Sequence, residues 1–200
     1  LTPAQREALY DWALREGGLK DARPPTAAPL RVLDVGAGTG NARQYAGPGA
    51  RWHLVDSCWP MLHRAMAKFR DDPRVSYQRL DFTSASDRSA LVGEFDVLFS
   101  VNALYNEPDP VAHLAWLSGH AARGAVLVLA GPWSSPSIEA VLDEHDRLVR
   151  LAGGRPHRTR LLLANLPALV VNLVLQRRLR SAATAPADAA ELRRWLVASG

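Results

Sequence analysis

The feature that most constrains this chain is a turn. The apolar run Val32-Leu33-Asp34-Val35 ends beside an acid and passes at once into Gly36-Ala37-Gly38-Thr39-Gly40-Asn41. Glycines at alternate positions let the main chain turn sharply and let a ligand lie against bare backbone, while the N–H groups of a following helix face an anionic group. Such a turn belongs between a buried strand and a helix. A dinucleotide fingerprint would want its third glycine where Asn41 stands, and no Gly-Lys-Ser/Thr follows to make a phosphate-gripping loop.

The surrounding pattern agrees with a strand-to-helix turn. Strand-length apolar runs at 30–35, 51–55, 75–79, 95–100 and 125–130 alternate with helical patterns at 39–46, 60–70, 86–92 and 109–122. Short strands separated by helices of this length imply βαβ crossovers and a parallel sheet covered on both faces. The predicted fold class is therefore α/β, a doubly wound, mainly parallel Rossmann-like sheet. Ahead of it, Thr2-Pro3-Ala4-Gln5 starts a helix whose apolar residues Leu9, Trp12, Ala13 and Leu14 suggest one buried stripe, ended by Gly17-Gly18. A Pro-rich linker at 23–29 follows. After the fifth strand the rhythm breaks into a helix at 137–152, an Arg-flanked apolar segment at 158–180 and a helix at 188–198. The expected organisation is a cap helix and linker at 1–29, a ligand-binding core at 30–132, and a helical insertion with a terminal helix at 133–200.

Composition excludes several classes. With 200 residues, 48% hydrophobic and 22% charged, the chain is neither disordered nor fibrous. Cys58 is the single cysteine, so an internal disulfide is impossible and a reducing compartment is expected. The run at 161–175 contains Asn165, Pro167 and Asn172 and falls short of the ~20 residues a bilayer span needs. No export signal opens the chain, and a cytoplasmic protein is expected. The six histidines show no metal-ligand spacing, so no metal is expected. Net charge is +4, and eight arginines with no acid lie between 147 and 180. That segment suits phosphates, a membrane surface or an anionic substrate, although any one of these charges also reads as part of a solvated helix face.

The spacing Asp34-x-Gly36-x-Gly38-x-Gly40 resembles motif I of the class I S-adenosylmethionine-dependent methyltransferases. The resemblance continues in order along residues 30–132. Asp56-Ser57-Cys58-Trp59-Pro60-Met61-Leu62 is similar to the family's acid-x-Ser-x-x-Met-Leu stretch, with the serine displaced by one. Leu80-Asp81-Phe82 resembles the acid-plus-apolar pair around the adenine. The run from Phe95 to Leu104 resembles motif IV, and 124–129 resembles the fifth strand. The resemblance implies S-adenosylmethionine as cofactor. Gly36, Gly38 and Gly40 would border its methionine end and Asp34 would support the ammonium. Asp56 would hold the ribose, next to Ser57 and Met61. Asp81 and Phe82 would hold the adenine, and Ser100 with Asn102 would wall the sulfonium. Residue by residue, Asp56 also reads as a helix cap, Asp81 as the cap of a turn, and Met61 as packing.

Members of this family end the sheet with two more strands, one of them antiparallel, which are not recognisable here. The acceptor end departs from the family as well. Many small-molecule members carry a histidine after strand four, where Ala103-Leu104-Tyr105-Asn106-Glu107 stands. Tyr105 and Glu107 are the candidates to orient or deprotonate an acceptor, with packing over the cofactor the alternative for Tyr105. The Asn/Asp-Pro-Pro-Tyr signature of amino methylation is absent. These features predict methyl transfer to a small acceptor, with no specific nucleic acid as partner. The alternatives are a non-catalytic cofactor-binding module acting through a partner, and aminopropyl transfer. The segment 157–180 reads either as a lid that meets a lipophilic acceptor or a membrane surface, or as a homodimer interface.

Overall fold

The computed structural model describes residues 3–20, 28–104, 107–131, 138–159 and 189–199. At its centre is β1 (Leu30–Val35), whose residues 32–35 are buried on both faces, as parallel strands under two helical layers must be. β2 (Ala50–Asp56) and β3 (Val75–Arg79) extend the sheet on one side, β4 (Phe95–Val101) and β5 (Ala121–Ala130) on the other. The order is β3-β2-β1-β4-β5, and every pairing is parallel. This is the doubly wound order expected from the alternation. The chain reverses its winding between β1 and β4, so a crevice opens at their carboxyl ends.

Alternating side chains of the strands build two cores. On one face Val32, Trp52, Leu54, Val97 and Phe99 pack beneath α1 (Pro3–Glu16), α2 (Asn41–Tyr45) and α3 (Trp59–Lys68). On the other Leu33, Val35, Val55 and Leu98 pack against Leu114 and Leu117 of α5 (Pro110–Ser118) and Trp195 of the terminal helix. α4 (Ala85–Arg88) is a single turn, α6 (Ile138–Leu151) follows β5, and the terminal helix α7 covers Ala189–Ala198. Among the described residues no helix is long and apolar enough to cross a membrane.

Three local expectations change. Trp12 is 47% exposed, whereas Ala13 and Leu14 are fully buried. At 3.6 residues per turn, Tyr10, Ala13, Leu14 and Gly17 share one arc with Leu9 at its edge, and Trp12 lies just beyond that edge. α4 ends at Arg88 rather than 92, with Gly93 at φ 112° turning the chain into β4. β5 begins at Ala121, inside the stretch predicted as helix, because Phe95 N–H already donates to His120 O (2.8 Å) and opens the pairing. The surplus residues are absorbed by an irregularity opposite Phe95 and Val97, with Gly124 at φ 79°. Sheet pairing overrides the helical preference of Ala121-Ala122-Arg123. The expected boundaries near 29 and 132 adjoin residues 21–27 and 132–137, and 160–180 holds most of the predicted lid; all three stretches lie outside the described residues.

Candidate functional site

The glycine turn sits at the carboxyl end of β1, where the crevice opens. Gly36, Gly38 and Gly40 have φ of 72°, 56° and 71°, the left-handed region that side chains disfavour. Contact adds a second requirement at two of them. A Cβ at Gly36 would stand 2.5 Å from Ala103 Cβ, and one at Gly40 would stand 2.7 Å from Phe69 Cε2. Gly38 differs, since a Cβ there would meet only Met61 Sδ at 3.6 Å. The bare backbone of Gly38 therefore fronts open space beside the exposed Met61. Gly36 and Ala37 N–H both donate to Val55 O, at 2.8 and 3.0 Å, so the turn is hung on the tip of β2.

Asp56 completes that tip. One carboxylate oxygen accepts from Gly38 N–H (2.7 Å) and the other from Cys58 N–H (2.8 Å). It is 8% exposed. Each oxygen of a carboxylate has two acceptor positions, so two remain for a ligand. Asp34 lies on the α1 face of β1, and burial, with the Asp56 charge adding to it, pushes its carboxyl up to about 7. Tyr10 of α1 faces Asp34, and its hydroxyl is pushed up to about 12 by burial first and by Asp34 second. Tyr10 also stacks on Tyr45, with ring centres 5.8 Å apart. The result is a buried carboxyl, about half protonated at neutral pH, that would gain from a cation placed beside it.

The remaining candidates divide. Ser57 is exposed, and its carbonyl accepts from Arg79 Nε (3.4 Å). Asp81 accepts from Thr83 N–H (3.0 Å) and Thr83 Oγ (2.7 Å), the turn-capping geometry that was the alternative reading of this residue. Phe82 is 6% exposed and sits edge-on to His113 (5.3 Å) while its ring approaches Gly36. Ser100 is fully buried, and its hydroxyl has no hydrogen-bond partner. Asn102, with φ 57°, is the one non-glycine residue at positive φ among the described residues, and its N–H donates to Ala130 O (2.6 Å). A left-handed asparagine at the end of β4 marks the strand's abrupt exit beside the crevice. Tyr105 lies outside the described residues.

Glu107 is not where an acceptor would meet it. It is 1% exposed and lies beneath α5, with Oε2 2.9 Å from Arg88 Nη2 and 3.5 Å from His113 Nδ1. Both contacts are off the hydrogen-bond axis. Burial, and then the Arg88 charge, lowers His113 to about 4, so the imidazole is neutral at neutral pH. This placement gives Glu107 an anchoring position in place of the acceptor-facing one expected. Tyr10, Arg88 and His113 are the members of the site's surroundings that sequence reasoning missed. None belongs to a motif, and only a capped fold brings them near the crevice. Among the described residues no group of three or more His, Cys, Asp or Glu is arranged to hold a metal.

A methyltransferase-domain family model matches residues 32–124, the stretch that carries this crevice. This stretch is a methyltransferase domain, of the kind that uses S-adenosylmethionine. Among solved structures it is similar to the N-methyltransferase NodS from Bradyrhizobium japonicum WM9 in complex with S-adenosyl-L-homocysteine. That match has a TM-score of 0.52 and 20% identity over 64% of this chain and 62% of that one. The CurJ carbon methyltransferase matches with a TM-score of 0.51 and 22% identity, over 62% of this chain and 34% of the other. Among curated proteins, the tRNA U34 carboxymethyltransferase of Psychrobacter arcticus is 32% identical over 133 residues, covering 60% of this chain and 37% of the relative. The chain thus spans well under half the length of the curated relatives it matches. Those relatives overturn the expectation that nucleic acid is not a partner, since they are tRNA-modifying enzymes. The Asn/Asp-Pro-Pro-Tyr signature, whose absence prompted that expectation, belongs to amino methylation and does not speak to other nucleophiles on RNA.

Proposed function

We propose that this methyltransferase acts on a nucleophile carried by tRNA, with its S-adenosylmethionine-type cofactor bound across the tips of β1, β2 and β3. The observation that carries the cofactor reading is the pairing of an open Gly38 backbone with two acids in different surroundings. Asp56 is tethered with two acceptor positions to spare, which suits a vicinal diol, and Asp34 is buried and short of a cation, which suits an ammonium. Met61 and Phe82 would line the adenine, with Ser57 and Asp81 at its rim. Ser100 and Asn102 would border the reacting centre. The acceptor reading is supported by the tRNA-directed relatives and by a net charge of +4, the sign a polyphosphate backbone requires.

The cofactor's sulfonium supplies an already electrophilic carbon. The chain's own residues then need mainly to hold the acceptor in line and exclude water. Transfer would join the acceptor atom to that carbon and leave the electron pair of the broken carbon–sulfur bond on sulfur. Any proton on the acceptor leaves to solvent. The test uses cofactor labelled with tritium in the methyl group, together with bulk tRNA. Label that enters the RNA fraction and is released by nuclease as one modified nucleoside is expected. Cofactor binding by calorimetry without label in RNA would overturn the acceptor reading, and absence of cofactor binding would overturn both.

A further inference from the structure

Arg88 bridges the two loops that flank the far wall of the crevice. Its Nε donates to Phe82 O (2.5 Å), in the loop after β3, and its Nη2 lies 2.9 Å from Glu107 Oε2, in the loop after β4. Its own carbonyl accepts from Trp116 Nε1 (3.2 Å) of α5, and its guanidinium lies 5.8 Å from the centre of the Trp116 ring. Phe82 and Trp116 in turn flank His113, at 5.3 and 5.5 Å. The His113 ring is neutral at working pH and both its nitrogens are unpartnered, so Arg88 is the cation that balances the buried Glu107. We infer that Arg88 is a positioning residue: it sets the spacing between the adenine-side loop after β3 and the acceptor-side loop after β4. The roles given to the loops rest on the function proposed above; the bridge itself does not.

The chemistry favours arginine at this position. A guanidinium is a rigid, delocalised fork, so it can aim one N–H at a carbonyl while its charge lies beside a carboxylate. A lysine ammonium keeps the charge and loses the fork. Displacing either loop by an ångström would move the adenine wall or the acceptor relative to the reacting carbon, and misplacement of that size is costly to rate.

Four variants and three readouts test the inference. In Arg88→Met, the dissociation constant for S-adenosylhomocysteine should rise by at least about tenfold, and amide exchange should quicken in residues 80–84 and 100–104 but not in β1. Arg88→Lys should retain stability better than Arg88→Met yet show the same weakening of the ligand. Glu107→Gln should quicken exchange only after β4 and leave the dissociation constant within about twofold. The double variant removes the unpaired buried carboxylate, so it should recover melting temperature without recovering ligand affinity. If affinity and loop protection return together with melting temperature in the double variant, Arg88 is merely structural and the inference fails. Wild-type protein that does not bind S-adenosylhomocysteine would overturn the proposed function, and the exchange pattern alone would then decide the role of Arg88.

Discussion

The loop after β1 and the loop after β3 border the same crevice and are held by different means. The first is fixed by backbone. Three positive-φ glycines, two N–H groups on Val55 O and one on Asp56 leave it little freedom, and the side chains it excludes are excluded by contact. The second is fixed by side chains, through the Arg88 guanidinium and the Phe82 and His113 rings packed behind it. A backbone-built loop can come closest to a ligand, and a side-chain-built loop can respond to charge. The two sides also bury ionisable groups of opposite kind: Asp34 on the α1 face and His113 on the α5 face.

The largest test of this contrast is Gly36→Ala. A methyl group at φ 72° and 2.5 Å from Ala103 Cβ combines left-handed strain with overpacking, about 2–4 kcal/mol together. Denaturant unfolding should register that loss, and cofactor affinity should fall with it. A near-native midpoint would mean that the loop after β4 yields and that the backbone side is softer than its hydrogen bonds imply.

Asp56→Ala should come next. It strips the acceptor from Gly38 N–H and Cys58 N–H and removes the proposed diol partner, so calorimetry should show cofactor binding weakened at least about tenfold. Unchanged affinity would sink the assignment of Asp56. The corresponding change on the other side, Glu107→Gln, should leave affinity nearly intact.

The smallest effect, and the sharpest comparison, is in pH. Asp34 has a folded value of about 7 against an ordinary 3.8, so its folded state holds a proton that the unfolded chain releases earlier. The stability from this group is complete below 3.8 and is lost as pH rises through 7. His113 has a folded value of about 4 against 6.5, so the unfolded chain takes up the proton first. Its contribution is complete above 6.5 and is lost as pH falls toward 4. Between pH 4 and 7 the two oppose each other, and the wild-type melting temperature should change little on their account. Asp34→Asn should leave a protein whose stability rises with pH across that window, and His113→Phe one whose stability falls. Parallel pH profiles for wild type and both variants would remove the distinction between the two faces.

Much of the glycine-turn side of the crevice was legible from residue order. Gly36, Gly38, Gly40 and Asp56 stand where a strand-to-turn pattern puts them, because a sharp turn after a buried strand has few chemical solutions. The ends of α4 and β5 were not legible: a one-turn helix and a bulged strand start depend on pairing with β4, which lies outside their own sequence. The acceptor was not legible either. A missing signature excludes one chemistry without naming another, and it took tRNA-directed relatives to correct the expectation.

What the sequence by itself determined is the alternation of strands and helices, their parallel winding, and the place of the glycine turn, since periodicity and glycine stereochemistry act over a few neighbouring residues. What only the tertiary structure decided is the company each charge keeps. Asp34 meets Tyr10 and Asp56, and Glu107 meets Arg88 and His113, across gaps in the chain that no local pattern spans. Burial and charge pairing are properties of distance in space, so the states of these groups exist only once the sheet and both helical layers have closed around them.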